Sequence, residues 1–293
     1  MKLLAPKYDV VFHALFKEST KDKLAKLVGA ILGKEVKVLS IDRNRYMELE
    51  GYDDKFGIMD LRAELENNEQ CNIEIQLSYY PGMLDRLMLY WADNFKRQLK
   101  KGMQYDELKR TISILILWDN VEKFKNLEGD EIEWKVLNTK KPQEVLTEKL
   151  DIYIIEVEKI KKLFKREPNN KIYQWMMFLD DPNSKEVTSI MKENEDISNV
   201  REDLERVSGN EELQELARLR ELREHDYITF EKNKVKCARK EGFEQGVEEG
   251  IAKGSTEKSK EIAKEMLKDG MPIDQGHFID YYKIVIFLIN GCR

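Results

Sequence analysis

The chain has 293 residues, 41% of them hydrophobic, which is enough for one large core or two ordinary ones. Lys+Arg 50 against Asp+Glu 56 give a formal net charge of −6, so a uniformly basic nucleic-acid-coating protein is excluded and any polyanion contact falls to local patches. The three cysteines, Cys71, Cys237 and Cys292, are odd in number and far apart, which excludes a disulfide framework and a zinc knuckle.

The opening "MKLLAPKYD" reaches charge and proline too soon for a signal-peptide core, and no apolar run approaches the length of a membrane span. The expectation is an unexported protein of the reducing cytoplasm. Residues 9–32 read as helix with a break near Ser19 and Thr20: Val11, Phe12, Leu15 and Phe16 form one apolar stripe, and Leu24, Leu27, Val28, Ile31 and Leu32 form another. Gly33 is the stop. Residues 36–48, 55–65 and 70–78 read as strands, with "ENNEQ" as the turn before the third. Leu84, Leu87, Met88, Trp91, Phe95 and Leu99 recur at helical spacing over 83–101, with Gly102 beyond them. "ISILILW" at 112–118 is apolar throughout, as in a strand covered on both faces, and "IEWKVLN" and "LDIYIIEV" extend the sheet.

The order helix, three strands, helix, strand predicts an α/β fold with a mixed sheet flanked by helices. From about residue 159 the pattern becomes helical, and the charged stretch 186–240 predicts a peripheral arm. "EGFEQGVEEGIAKG" then sets Gly242, Gly246, Gly250 and Gly254 four apart, as a helix packed closely in self-association or as a loose linker. This divides the chain into a sheet domain at 1–158, a helical arm at 159–240, a Glu/Gly-repeat segment at 241–270 and an atypical apolar tail at 271–293.

The strand 70–78 puts Ile73, Ile75 and Leu77 on one face and Asn72, Glu74 and Gln76 on the other, because side chains alternate with period two. In "KFGIMDLRAEL" Asp60 lies beside Ile58 in an otherwise apolar part of its face. A hairpin through "ENNEQ" brings Asp60 next to Glu74, with Gln76 one step on. Two carboxylates and a polar neighbour make a hard-oxygen site for Mg²⁺ or Mn²⁺. Register is the test: a two-residue turn at Asn67 and Asn68 would face Asp60 with Ile75, so the site needs an odd-length loop or a bulge.

Asp60 followed by Glu74-Ile75-Gln76 on the next strand resembles the PD-(D/E)XK nuclease superfamily. More narrowly, "DVVFHALF", "GIMDLRAE", "NIEIQ", "LDRLMLYW" and "GMQYDELKRTISILIL" resemble, in that order, the recombination-promoting nuclease or transposase family. The resemblance implies a restriction-endonuclease-like core and a DNA endonuclease linked to recombination or to defence against foreign DNA. Asp60 and Glu74 would be metal ligands, with the main-chain carbonyl of Ile75 a third. Gln76 stands where the wider superfamily has lysine; an amide cannot act as a cation or a general base, but it can orient water or a phosphate oxygen. Asp9 matches an acidic family position that assists the metal, and His13 stands where relatives often have lysine. Arg86 and Tyr90 match family positions that reach phosphate or brace the site. The implied chemistry is metal-assisted phosphodiester hydrolysis. Two cation clusters are the candidates for holding DNA: Lys96, Arg97, Lys100 and Lys101, and Lys159, Lys161, Lys162, Lys165 and Arg166.

Blander readings stand beside these. Paired strand carboxylates are more often surface charges than ligands. Arg86 is equally readable as an ion-pair partner of Asp60 or Glu74, and lysine runs are usually solvated helix faces. Trp91, Trp175, Met176 and Met177 read as core, and His13, His225 and His277 share no ligand spacing. The competing function is a catalytically weak or inactive DNA-binding, self-associating protein on the same scaffold, and metal binding separates the two.

Overall fold

The computed structural model describes residues 2–43, 61–127 and 132–268. Asp60, the first part of the strand expected at 55–65 and the tail 271–293 lie outside the described residues.

Helix α1 (Asp9–Leu15) and helix α2 (Lys21–Leu32) are separated at the expected break. Thr20 Oγ1 donates to Leu15 O at 2.7 Å and accepts from Lys17 N at 3.0 Å, so its hydroxyl takes up main-chain groups that a continuous helix would pair internally. Gly33 ends α2 at φ 65, a left-handed conformation that glycine adopts without steric cost.

Strands β1 (Val38–Arg43), β2 (Leu61–Leu65) and β3 (Gln70–Gln76) pair antiparallel. Helix α3 (Met83–Arg97) then crosses over to β4 (Thr111–Leu117), which runs parallel to β3. Two-residue strands β5 (Glu133–Trp134) and β6 (Leu137–Asn138) precede β7 (Lys141–Val145) and β8 (Leu150–Glu156). The sheet order is β1-β2-β3-β4-β8-β5, with β8 parallel to β4 and β5 antiparallel at the edge. "IEWKVLN" was expected to extend this sheet, but only its β5 part does so. Leu137 and Asn138 instead pair with β7 in a separate hairpin, where Asn138 Oδ1 accepts from the turn amides of Lys140 and Lys141 at 2.9 and 3.1 Å.

Every residue of β4 is buried, as expected of a strand whose residues other than Thr111 and Ser113 are all Ile or Leu. Its isoleucines Ile112, Ile114 and Ile116 join Cys71, Ile73 and Ile75 of β3 in the larger core, while Leu115 and Leu117 face the smaller core with Met83 and Leu87 of α3. The larger core is closed by α1 and α2 and by α4 (Val157–Phe164), α5 (Lys171–Asp180), α6 (Lys185–Ile190) and α7 (Glu195–Ser208). Trp175 and Met176 are fully buried there, as expected. Residues 186–208, expected at the periphery, place Val187, Ile190, Ile197, Val200 and Leu204 in this core. These apolar residues are few, but the 3- and 4-residue steps within each of α6 and α7 keep them on one face of that helix.

Helix α8 (Glu211–Lys268) completes the described chain. The chain forms two compact units, Met1–His225 and Asp226–Arg293. Among the described residues no helix is long and apolar enough to cross a membrane.

Candidate functional site

The second face of β3 lies under α3, and this is where the sheet departs from an apolar pattern. Asn72 and Glu74 are 0% and 1% exposed, and Ser113, the β4 partner of Asn72, is also buried. Both amide atoms of Asn72, Ser113 Oγ, Glu74 Oε2 and Arg86 Nε have no hydrogen-bond partner among the described residues. Buried polar groups without partners cost stability, so a concentration of them on one face marks a place where packing was not the only requirement.

Glu74 is compensated from α3. Arg86 Nη2 forms an ion pair with Glu74 Oε1, and Gln76 Nε2 donates to the same oxygen at 3.0 Å. The Arg86 guanidinium lies 5.1 Å from the centroid of the Tyr80 ring and 5.7 Å from that of Tyr90, so two aromatic faces restrain it. Tyr90 stands one helical turn beyond Arg86, which puts both on the same side of α3. Burial pushes the Glu74 carboxyl above the usual carboxylate range, and Arg86 and the Gln76 amide pull against that shift without cancelling it.

The register condition set by the sequence is met. Leu61 faces Ile73 and Arg62 faces Asn72, and Leu65 N donates to Glu69 O at 2.8 Å across a three-residue turn, Glu66–Asn68. Asn67 and Asn68 adopt φ 63 and φ 60, a left-handed conformation that asparagine tolerates better than most residues. The loop is therefore odd in length. Asp60 itself lies outside the described residues; it is bonded to Leu61, whose partner Ile73 precedes Glu74.

The other predicted residues divide into two groups. Ile75 has its side chain in the opposite core, leaving only its main chain for the site face. Asp9 opens α1, where its Oδ1 accepts from Val10 N at 2.8 Å and pairs with Arg220 Nε at 3.1 Å. One turn further along α8, Glu224 bonds Ser78, two residues past Gln76. The start of α8 thus holds Asp9 near the end of β3 from which Gln76 emerges.

Lys96, Arg97, Lys100 and Lys101 are exposed. Arg97 and Lys100 line a groove of about 640 Å³ together with Arg62, Lys109, Asn94 and Gln98, and Asp42, Glu64 and Glu107 are its acidic lining. Arg97 Nε also pairs with Asp93 at 2.6 Å. In the second cluster Lys159 is engaged within the fold, donating to Phe124 O at 2.7 Å and pairing with Glu156, and Lys161 pairs with Glu158 and Asp180. Lys162, Lys165 and Arg166 are exposed.

Sequence reasoning missed Asn72, Ser113, Tyr80 and Arg220. Asn72 had a visible signal, an amide beside Glu74 on the same strand face. Arg220 had none, since its partner Asp9 is over two hundred positions away. Among the described residues no group of three or more His, Cys, Asp or Glu is arranged to hold a metal ion.

The description "PD-(D/E)XK nuclease family transposase" matches residues 6–233. The chain belongs to this family. The match to the transposase family runs well past the last of the five sequence motifs and takes in α4 to α7 and the start of α8. Its mixed sheet flanked by helices is consistent with the PD-(D/E)XK core. Neither the curated proteins nor the solved structures give a match to this chain.

Proposed function

We propose that this family member is a divalent-metal-dependent DNA endonuclease, using Mg²⁺ or Mn²⁺, that acts in the cytoplasm in recombination or in defence against foreign DNA. The observation that carries the reading is Glu74: a carboxylate buried on a sheet face and compensated, among the described residues, on one oxygen only, on the strand that pairs with β2.

A cation fits this environment, because Glu74 Oε2 is buried with no partner among the described residues and an ionised carboxylate needs more compensation than one oxygen receives. Glu74, Asp60 and the carbonyl of Ile75 would hold the ion. When bound, it lowers the pKa of a water and neutralises charge growing on the phosphoryl oxygens. The chain's own groups do the rest. Arg86 presents a planar fork of donors, one of them on Glu74, and its guanidinium is the cationic group placed to meet a phosphate oxygen. Tyr80 and Tyr90 keep that fork in place. Gln76 orients the water or a phosphate oxygen, and Asp9 assists from the end of α1. DNA is held by Lys96, Arg97, Lys100 and Lys101 beside the groove under the end of α3, with Lys162 more accessible for this than the internally paired Lys159.

A second reading draws on the same ion pair. Arg86 already supplies Glu74 with a positive charge, and Gln76 supplies none, so a protein that binds DNA without cutting it could keep this arrangement as structure. Thermal unfolding with Mn²⁺ separates the two. For the nuclease, a hundredfold excess of Mn²⁺ over its Kd stabilises the wild type by about 2.7 kcal/mol, and Asp60→Ala and Glu74→Ala lose that shift. An unshifted wild type favours the binding protein.

A further inference from the structure

The unit Asp226–Arg293 contains the part of α8 whose role the nuclease reading leaves open. Phe243, Val247 and Ile251 are four residues apart, lie on one stripe of this helix, and are 73%, 44% and 68% exposed. Val235 is also exposed. Large apolar side chains repeated along one face of a water-exposed helix mark a contact surface. Gly242, Gly246, Gly250 and Gly254 interleave with this stripe, and a Cβ added at any of them would meet nothing within 4 Å. Nothing among the described residues therefore requires glycine there, although each costs roughly 1 kcal/mol relative to alanine in a helix.

The charge sequence decides what covers this face. Residues 232–240 carry Lys232, Lys234, Lys236, Arg239 and Lys240 and no acid. Residues 241–249 carry Glu241, Glu244, Glu248 and Glu249 and no base. The helix thus switches sign abruptly between Lys240 and Glu241. Two copies aligned in parallel would stack like charges along both blocks. Two copies aligned antiparallel about that junction bring each basic block against the partner's acidic block. Within one helix, Lys240–Glu244 and Lys253–Glu249 approach only to 3.8 and 3.5 Å and are exposed, so little opposes their exchange for contacts between copies.

We propose that residues 230–251 of α8 pair antiparallel with the same segment of a second copy, on a two-fold axis between Lys240 and Glu241. The pairing is isologous and closes as a dimer. It sets Val235 opposite Gly246, where the absence of a side chain admits close approach, and Cys237 opposite Glu244. Phe243, Val247 and Ile251 are covered along the same seam. The inference does not depend on catalysis and stands or falls separately from the nuclease reading.

The test uses the full chain carrying Cys292→Ser, in which exposed Cys237 is the reactive thiol because Cys71 is buried with its thiol pushed up to about 12. Light scattering on the eluting protein should give the dimer mass, and Val247→Glu should give the monomer mass with unchanged helix content by circular dichroism. Mixing this protein with a second one carrying Cys237→Ser, Glu244→Cys and Cys292→Ser and treating with a short bis-maleimide should give a covalent dimer joining Cys237 of one copy to position 244 of the other, a link that no single copy can form, identified by peptide mass. A link between two Cys237 residues, with none to position 244, would overturn the antiparallel pairing. A monomeric parent, or a dimer indifferent to Val247→Glu, would overturn the interface.

Discussion

Glu74 and Arg86 form an ion pair between the second face of β3 and helix α3 in which one carboxylate oxygen receives both Arg86 and Gln76 while the other is buried with no partner among the described residues. The pair lies almost wholly out of water, with side chains 1% and 15% exposed. Breaking such a pair from one side leaves an uncompensated buried charge, whereas replacing both partners with apolar groups removes the desolvation cost along with the attraction. Arg86→Ala is therefore expected to destabilise unit Met1–His225 by about 3–5 kcal/mol, and Glu74→Met with Arg86→Met to recover most of that loss. Urea unfolding of the three proteins measures it. Equal destabilisation by the single and the double change would show that the pair carries no coupling.

Proton binding at Glu74 gives a second prediction. Its carboxyl pKa is raised, chiefly by burial, so Glu74 takes up a proton more readily in the folded than in the unfolded protein. The sign follows: the stability contributed by neutral Glu74 is fully present below the unfolded value of about 4.3 and is lost as pH rises through the higher folded value. Ligation of a cation needs the carboxylate, so metal-induced stabilisation should grow over that same rising interval. Arg86→Met removes a group that lowers the Glu74 pKa and should move the onset to still higher pH. A profile that stays put in the Arg86 variant would uncouple the two residues.

Asp9 is restrained by Arg220, and the two can be tested against each other. If Asp9 assists the metal, Asp9→Asn should lower cleavage by at least about tenfold, the scale of a lost group behind the ligands. Arg220→Ala should leave cleavage nearly intact, because Val10 N still holds the Asp9 carboxylate. Equal losses in both variants would reduce Asp9 to a docking contact for α8.

The two cation clusters should behave differently. Lys100→Ala and Arg97→Ala, on the groove, are each expected to reduce the slope of log DNA affinity against log salt by about one, with little effect on stability. Lys159→Ala should instead destabilise the fold by about 1–3 kcal/mol, since it strands Glu156, which is 7% exposed. Salt titrations of binding, run beside thermal unfolding, distinguish these outcomes.

Much of the fold was legible because β3, β4 and β8 carry their packing in local order: alternation in β3, and dense apolar stretches in β4 and β8, all of whose residues are buried. The break between α1 and α2 was visible at Ser19 and Thr20, and the need for an odd loop after β2 followed from period two alone. Arg86 was readable as a partner for Glu74 because both fall on faces that depart from an apolar pattern. The β6–β7 hairpin was not legible, since a short apolar stretch such as "IEWKVLN" does not encode which strand it joins. The Asp9–Arg220 pair and the engagement of Lys159 by Glu156 depend on tertiary placement of charged residues that look alike in sequence. The few apolar residues of α6 and α7 reach the core through spacing rather than number.

The most direct test is plasmid cleavage by the purified chain in Mg²⁺, Mn²⁺ or EDTA, beside Asp60→Ala and Glu74→Ala. The nuclease reading predicts nicking or linearisation that requires metal and falls by at least about a hundredfold in both variants, as expected when groups holding transition-state charge stabilisation are lost. Cleavage that persists in EDTA or in both variants, or none above the variant background in either metal, would contradict a metal-dependent centre at Glu74.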